Sequence, residues 1–425
     1  MKIAFFIDEC FPSVHGVATS TTTYKEALEK LGHEVYIIAP HVDGYEDFDD
    51  HIIRMPSSKS YVFVKREMAN IYPGLAKKLD DYHFDIVHSQ TQFFLGILAH
   101  SVAKRQNIPH VTTIHTLFTE LIDDYPVMIT AGLIAVSLAF PVVLWTKPVM
   151  PKLTIDHIKT LGKDTIKSIM SRQGWQLTWR LMAAFANKCD ACISPSKHLA
   201  DILVNEGGLT TPYFIFPNSI DTKKYLNASA DDSIIKKGKD DKFIICVARL
   251  SPEKRQVTLV EAMSHIKDPH IKLVLAGGGS YEKELKARIK ELKLEDRVIL
   301  TGMCSRDQVA SLLKQADVFA LASYHFDNQP MTFLEASAAG LPIVYCDERM
   351  TEALTKENSI LTDGIEGKDF AKVFENLLND PAKLDKLSKG ALKVAKKFDS
   401  EEMAKKLVKL YKSLIKTHAN LEEEE

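Results

Sequence analysis

One repeated pattern constrains this chain most: short, β-rich apolar runs alternate with amphipathic helical stretches, and the whole series occurs twice within 425 residues. Strands buried on both faces read as apolar runs, and parallel strands need crossover helices, so the pattern predicts doubly wound parallel α/β sheets. In the first series KIAFFID at 2–8 leads through a loop into a helix near 20–31, closed by Gly32. EVYIIAP, HIIRMP, DIVHSQ, HVTTIHT, ACISPS and YFIFPNSI follow as strands, ending near residue 220. In the second series the strands are KFIICVARL, IKLVLAGG, RVILTGM, VFALAS and PIVYCD. Between the two, NASADDSIIKKGKDD at 227–241 is polar and charge-mixed, as expected of a linker or a loop leading into a domain. Two Lys-rich helical patterns, 381–396 and 399–418, come before an acidic end expected to fray.

These boundaries give an N-terminal Rossmann-like domain over 1–220, with an insertion near 125–180, and a C-terminal one over 221–398. A final helix, 399–425, is expected to pack back toward the N-terminal domain and to carry the acidic tail. Two doubly wound sheets facing across a cleft bring the carboxyl ends of their strands together, where open α/β sheets bind ligands. The fold alone does not specify the chemistry.

Composition narrows the partners. A hydrophobic content of 45% supports a large core, and a formal net charge of −2 gives no reason to expect nucleic acid. Six cysteines, at 10, 189, 192, 246, 304 and 346, are too sparse for a disulfide framework and suit a reducing compartment. Cys189 and Cys192 have metal-type spacing, but no second pair follows, so packing beside a strand is expected. The opening MKIAFFIDEC meets a carboxylate at Asp8 and reads as a first strand rather than a signal peptide, with the catalytic body at the cytoplasmic face.

Several segments carry candidate chemistry. DECFPSVHGVATS follows a strand and precedes a helix, so its N–H groups can approach an anion, with Gly16 permitting close approach. VARLSPEKR, 247–255, leaves a strand and presents Arg249 and Lys254, a planar fork and a point charge that suit a diphosphate. SYHFDNQPMTFLEASAAG, 323–340, places Asp327 in a loop and Glu335 inside a helix that begins near Met331. Such carboxylates accept hydrogen bonds from sugar and ribose hydroxyls, while free N–H groups at the helix start face a phosphate. Asp47 and Asp49 spell a DxD, but within the acidic stretch YEDFDDH rather than at the end of an apolar strand.

Taken in order, the Arg-to-Lys loop, the GGG at 277–279, the ADVF at 316–319 and the acidic pair ending in LEASAAGLP resemble the GT-B retaining enzymes of glycosyltransferase family 4, over essentially the full chain. Within the family the likeness is to bacterial diacylglycerol α-glucosyltransferases. The resemblance implies that Arg249 and Lys254 bind the donor diphosphate and that Glu335 holds the nucleotide ribose. It implies likewise that Asp327 contacts the donor sugar and that the backbone N–H groups of Gln329, Met331 and Thr332 lie beside the donor. Asp327 stands where the family usually has Glu, and Pro330 stands where it often has Gly. TIHT at 113–116 is similar to the family segment that ends a strand at the cleft with an active-site histidine, here His115.

The implied reaction moves a hexose from a nucleotide sugar, UDP-glucose, to a membrane lipid such as 1,2-diacylglycerol, with no metal and no cofactor. Arg249, Lys254 and a helix terminus take the place of a cation. A polysaccharide, phosphatidylinositol-type or soluble acceptor is the alternative, and a non-catalytic, membrane-attached sugar-nucleotide-binding protein is a third.

The insertion bears on the acceptor. VMITAGLIAVSLAFPVVLW, 127–145, is nineteen residues without a charge, roughly 28 Å long as a helix against a bilayer core of about 30 Å. Strands expected on both sides argue against a simple span, so the segment is buried, interfacial or re-entrant. Trp145, Trp175 and Trp179 fall at or after its end. From 147 to 188 there are eight Lys or Arg against two Asp. Residues 127–179 are therefore expected to bind an anionic membrane surface in a peripheral or monotopic way.

Overall fold

The alternation produces two all-parallel sheets. In the computed structural model, which describes residues 1–8, 10, 12, 16–47, 49–60, 66–115 and 163–424, the chain divides into two units, Met1–Pro217 with Ala404–Glu425, and Asn218–Met403. The apolar segment 127–145, Trp145, and the basic residues Lys147, Lys152 and Lys159 lie outside the described residues. Among the described residues no helix is long and apolar enough to cross a membrane.

In the first unit the strands are β1 (Lys2–Phe6), β2 (Glu34–Pro40), β3 (Ile52–Met55), β4 (Ser57–Ser60), β5 (Arg66–Ala69), β6 (Ile86–Ser89), β7 (His110–Thr113), β8 (Ala191–Ser194) and β9 (Tyr213–Ile215). Seven of them form one sheet in the order β3-β2-β1-β6-β7-β8-β9. Its pairings are all parallel. β4 and β5 form a separate antiparallel pair, Ser57 opposite Ala69 through Ser60 opposite Arg66. Its polar residues carry no strand alternation, so the sequence pattern does not announce it.

β1 shows why both faces must be covered. Ile3 and Phe5 point into a cluster with Leu407 and Tyr411, while Ala4 and Phe6 pack with Leu95 and Leu98 of the helix Phe94–Gln106. Each fully buried Phe or Ile contributes about 1.5–3 kcal/mol. The helix Ser400–Glu424 buries Met403, Ala404, Leu407, Leu410 and Tyr411, the spacing of an apolar helical stripe. It continues as helix through Glu424, into the acidic end expected to fray.

Two sequence expectations are corrected and one open alternative is decided. Trp179 is only 3% exposed and packs with Ile114, Met182 and Leu199, so it is a core residue rather than a membrane-interface anchor. Residues 227–241 take the second of the two readings open to them, a loop leading into a domain: Ile235 is buried, Asp231 N donates to Ser311 Oγ (2.8 Å) and Lys237 pairs with Asp317 (2.7 Å), all within the second unit. The helix expected near 20–31 spans Gly16–Lys30, starting a turn earlier. The DxD carboxylates are both engaged, Asp47 with Arg54 and Asp49 with the buried Lys25, each at 2.6 Å. Cys189 just before β8 and Cys192 within it are both buried, and burial pushes both thiols up, Cys192 to about 12.

The second unit holds β10 (Lys242–Val247), β11 (Ile271–Ala276), β12 (Val298–Gly302), β13 (Val318–Leu321), β14 (Ile343–Tyr345) and β15 (Ser359–Leu361), in the order β12-β11-β10-β13-β14-β15. All pairings are parallel. One core runs through it, with Phe243, Phe319, Phe333, Phe370 and Phe374 fully buried and Phe319 edge-on to Phe333 at 6.0 Å. The chain enters beside the place where it leaves: Ile220 N donates to Phe398 O (3.0 Å) and Ser400 N to Ile220 O (2.9 Å).

Tyr411 joins the last helix to the sheet by a polar contact inside the core. Its hydroxyl meets His88 Nδ1 at 2.5 Å, and His88 Nε2 meets Thr113 Oγ1 at 2.6 Å. Removing the hydroxyl in Tyr411→Phe orphans a buried nitrogen and is expected to cost about 1–3 kcal/mol, with Tyr411→Ala costing about 3–5. Thermal unfolding of the two variants checks this, and an unchanged melting temperature in Tyr411→Phe would refute the contact's contribution. Burial also lowers His88 to about 3, His100 to about 4 and His110 well below its ordinary value. Unfolded histidines titrate near ~6.5, so their contribution is full above that pH and is lost as pH falls toward 3–4. Each ring then adds a slope of up to about 1.4 kcal/mol per pH unit. Urea midpoints should therefore drop between pH 7 and 5, and a flat profile there would contradict neutral burial.

Candidate active site

Both sheets have one place where neighbouring strands send their connections in opposite directions, and open α/β sheets bind ligands outside the carboxyl ends of such strands. In the second unit that place lies between β10 and β13, and in the first between β1 and β6. Candidate residues follow β10 and β13 directly.

After β10 the chain runs past Arg249 into a short 3-10 turn, Pro252–Lys254, and then the helix Gln256–His265. This loop lies on the three glycines after β11. A Cβ on Gly277 would sit 2.1 Å from Ala248 O, and one on Gly279 would sit 2.1 Å from Leu250 O, so only glycine permits the approach. Leu250 N donates to Gly278 O (3.0 Å), and the buried Gln256 Nε2 donates to Arg249 O (2.7 Å). Arg249 reaches outward, its side chain 53% exposed, with Nη2 at 2.8 Å from Glu253 Oε1.

After β13 the chain delivers Asp327. Lys254 Nζ meets Asp327 Oδ1 at 2.5 Å and stands 4.7 Å from the centre of the Phe326 ring. Ser323 Oγ donates to Asp327 Oδ2 at 2.5 Å. Lys254 and Asp327, 73 residues apart in sequence, are thus in direct contact and mostly shielded from solvent.

The helix Met331–Ala339 starts at once, with Pro330 at its cap and no side-chain cap bond. The first N–H groups of a helix have no partner within it, so those of Met331 and Thr332 lie at an end suited to an anion. Gln329 faces the other way: its Oε1 accepts from Asn218 N (2.6 Å) and its carbonyl from Asn218 Nδ2 (3.3 Å). Glu335, one turn into the helix, accepts from Tyr225 OH at 3.0 Å. Burial raises its pKa, against the lowering effect of that bond and of the Arg306 and Lys224 charges.

In the first unit His115 follows β7, half-buried, its Nε2 at 2.7 Å from Gln90 Oε1. Burial lowers it to about 4, so the ring is neutral at pH 7 and Nε2 carries the proton that the amide oxygen accepts. Gln92 Nε2 donates to Thr113 O (2.8 Å) and steadies the same strand end. Gly16 opens the helix Gly16–Lys30, with open space where a Cβ would stand.

Arg249, Lys254, Asp327, Gln329, Met331, Thr332 and Glu335 therefore belong to one unit and to the two loops of one switch point, and His115 and Gly16 belong to the other unit. Tyr225, Ser323, Phe326, Gln256 and Gln90 hold the candidate residues and were not picked out by sequence. Tyr225 is 110 positions from Glu335, so only the fold joins them.

Comparison with known proteins accords with this geometry. Residues 14–224 match the family described as Glycosyltransferase Family 4, and residues 228–394 match that described as Glycosyl transferases group 1. The chain is 30% identical over 359 residues to the alpha-monoglucosyldiacylglycerol synthase of Streptococcus pneumoniae, covering 81% of this chain and 70% of that one. It is 28% identical over 441 residues to the enzyme of that name from Acholeplasma laidlawii, covering 98% of each. Among solved structures, Anabaena HepE in complex with UDP superposes with a TM-score of 0.68 at 18% identity, over 97% of this chain and all of that one. The fold is GT-B, and the chain belongs to the glycosyltransferases of family 4.

Proposed function

We propose that this glycosyltransferase moves glucose from UDP-glucose to a hydroxyl of a membrane lipid, 1,2-diacylglycerol, with retention at the anomeric carbon. The observation that carries the proposal is the Lys254–Asp327 contact at the switch point of the second unit, with Glu335 on the helix that follows. In this reading Lys254 serves the diphosphate at the middle of the donor, Asp327 beside it serves the hexose joined to one end, and Glu335 serves the ribose joined to the other. Two relatives are named alpha-monoglucosyldiacylglycerol synthase, and HepE has been crystallised with UDP-glucose.

The second unit binds the donor and the first binds the acceptor. Arg249 and Lys254 hold the diphosphate, and the N–H groups of Met331 and Thr332 face it, so that fixed positive charge does the work of a metal. As the diphosphate engages Lys254, Asp327 is released to accept hydrogen bonds from the sugar. The bond from the anomeric carbon to the β-phosphate oxygen breaks, the acceptor oxygen bonds to the same face of that carbon, and its proton passes to the departing diphosphate. Neutral His115, oriented by Gln90, positions the reactants rather than serving as a charged acid. Gly16 at the start of its helix leaves room for an acceptor or phosphate oxygen. Residues 127–179, apart from the core residue Trp179, attach the protein to the anionic cytoplasmic face of the membrane. A polysaccharide, phosphatidylinositol-type or soluble acceptor is the second reading, favoured by the range of acceptors named among the more distant relatives.

Arg249→Ala and Lys254→Ala should each keep the fold and lose about 30- to 1,000-fold in turnover, the worth of roughly 2–4 kcal/mol of phosphate stabilisation. Release of nucleoside diphosphate measures it, and near wild-type rates in both would refute the site. For the acceptor, UDP release should rise when diacylglycerol is supplied in anionic vesicles. The protein should also co-sediment with those vesicles, and Glu at Lys159, Lys163 and Lys167 with polar replacements across 127–145 should weaken that partitioning. Transfer to a soluble sugar with none to diacylglycerol, and unchanged partitioning of the variant, would reverse the choice of acceptor.

A further inference from the structure

We infer that Tyr225 is a positioning residue for the donor nucleotide: its hydroxyl fixes the Glu335 carboxylate in the orientation that accepts the ribose hydroxyls, and so sets the preference for a ribonucleotide over a deoxyribonucleotide. The inference rests on Glu335 being the ribose ligand. Tyr225 stands on the short helix Thr222–Leu226, where Asp221 accepts hydrogen bonds from Lys223 N (3.1 Å) and Lys224 N (3.3 Å). Its ring is buried in the core of the second unit, 5% exposed, and could be replaced by Phe as far as packing is concerned. The hydroxyl is therefore the informative atom. It donates to Glu335 Oε1 at 3.0 Å, and a buried phenol keeps such a partner because losing it strands a polar group.

Glu335 needs that bond for two reasons. A carboxylate offers about four acceptor sites, and a donor fixed at one of them stops rotation about the last side-chain torsion and presents the others to a vicinal diol. The carboxylate must also stay ionised, which burial opposes and which Tyr225, Arg306 and Lys224 favour. Lys224 is itself bound to Asp307 at 2.7 Å, and Asp221 lies close enough to act on Tyr225. Burial and the neighbouring carboxylate push the Tyr225 phenol up, so it stays a donor at every working pH.

The test is binding of UDP and of 2′,3′-dideoxy-UDP, by calorimetry, to the full chain and to its Tyr225→Phe and Glu335→Gln variants. Tyr225→Phe should weaken UDP about 10- to 150-fold, the worth of one hydrogen bond to a charged group, and should change dideoxy-UDP binding less than about twofold. The acid limit of UDP binding should move to higher pH in Tyr225→Phe, because Glu335 loses a bond that disfavours its protonation. Equal weakening of both nucleotides, or of neither, in a variant whose thermal unfolding is unchanged would leave Tyr225 as packing and overturn the inference. Should the wild type fail to distinguish the two nucleotides and Glu335→Gln bind both normally, the ribose assignment falls first, and the role of Tyr225 falls with it.

Discussion

The parting of connections between β10 and β13 is the constraint on which the described chemistry depends. Hydrogen-bonded neighbours whose following segments leave toward opposite faces of a parallel sheet open a crevice at their carboxyl ends. Lys254 reaches this crevice from one side and Asp327 from the other, although neither strand carries a functional side chain itself. The loop after β10 keeps its place beside this crevice because Gly277 and Gly279 let it lie against the backbone that follows β11. A side chain at either position would lift that loop and move Arg249 and Lys254 together. The same topology recurs between β1 and β6, where Gln90 ends one strand and turns His115 of the adjacent strand end.

Much of this was legible in the sequence, because the physics involved is periodic or local. Strands buried on both faces leave apolar runs, so every member of the two large sheets except β15 could be read directly, as could the start of the helix at Met331; β15 is three residues long and leaves no such run. The β4–β5 pair could not, since neither strand buries a stripe and no short turn signature joins them. Trp179 misled for a related reason: Trp suits a membrane interface and a protein core equally well, and the neighbours that decide between them, Ile114 and Leu199, are distant in sequence.

The candidate site divides along the same line. Arg249, Lys254, Asp327 and Glu335 stood out because charged residues directly follow apolar strands or sit in a helix after a loop. Tyr225, Ser323 and Gln90 did not, because a tyrosine, a serine and a glutamine have many uses and nothing local marks the carboxylate or imidazole that each will meet. The contact between Lys254 and Asp327 was equally hidden. Each residue was assigned a separate part of a donor, and their pairing appears only once β10 and β13 are adjacent.

That pairing bears on how such a site rests without its donor. A shielded ammonium and a shielded carboxylate would each be costly alone, and together they neutralise one another at the floor of the crevice. Arg249 and Glu253 make a second, more exposed pair at its rim. In the proposed reaction a diphosphate arrives with negative charge of its own and replaces Asp327 as the partner of Lys254, so the gain in binding is an exchange of partners rather than the full attraction of a bare cation. Ser323 holds the other oxygen of Asp327, and in that proposal it keeps the freed carboxylate in place for the sugar. An aspartate suits this exchange better than a longer side chain in one respect: its short arm has fewer rotamers to lose, so the carboxylate remains near where Lys254 left it. Recognition of the phosphate and recognition of the sugar are then a single event, because the carboxylate becomes available only when its cation has been taken.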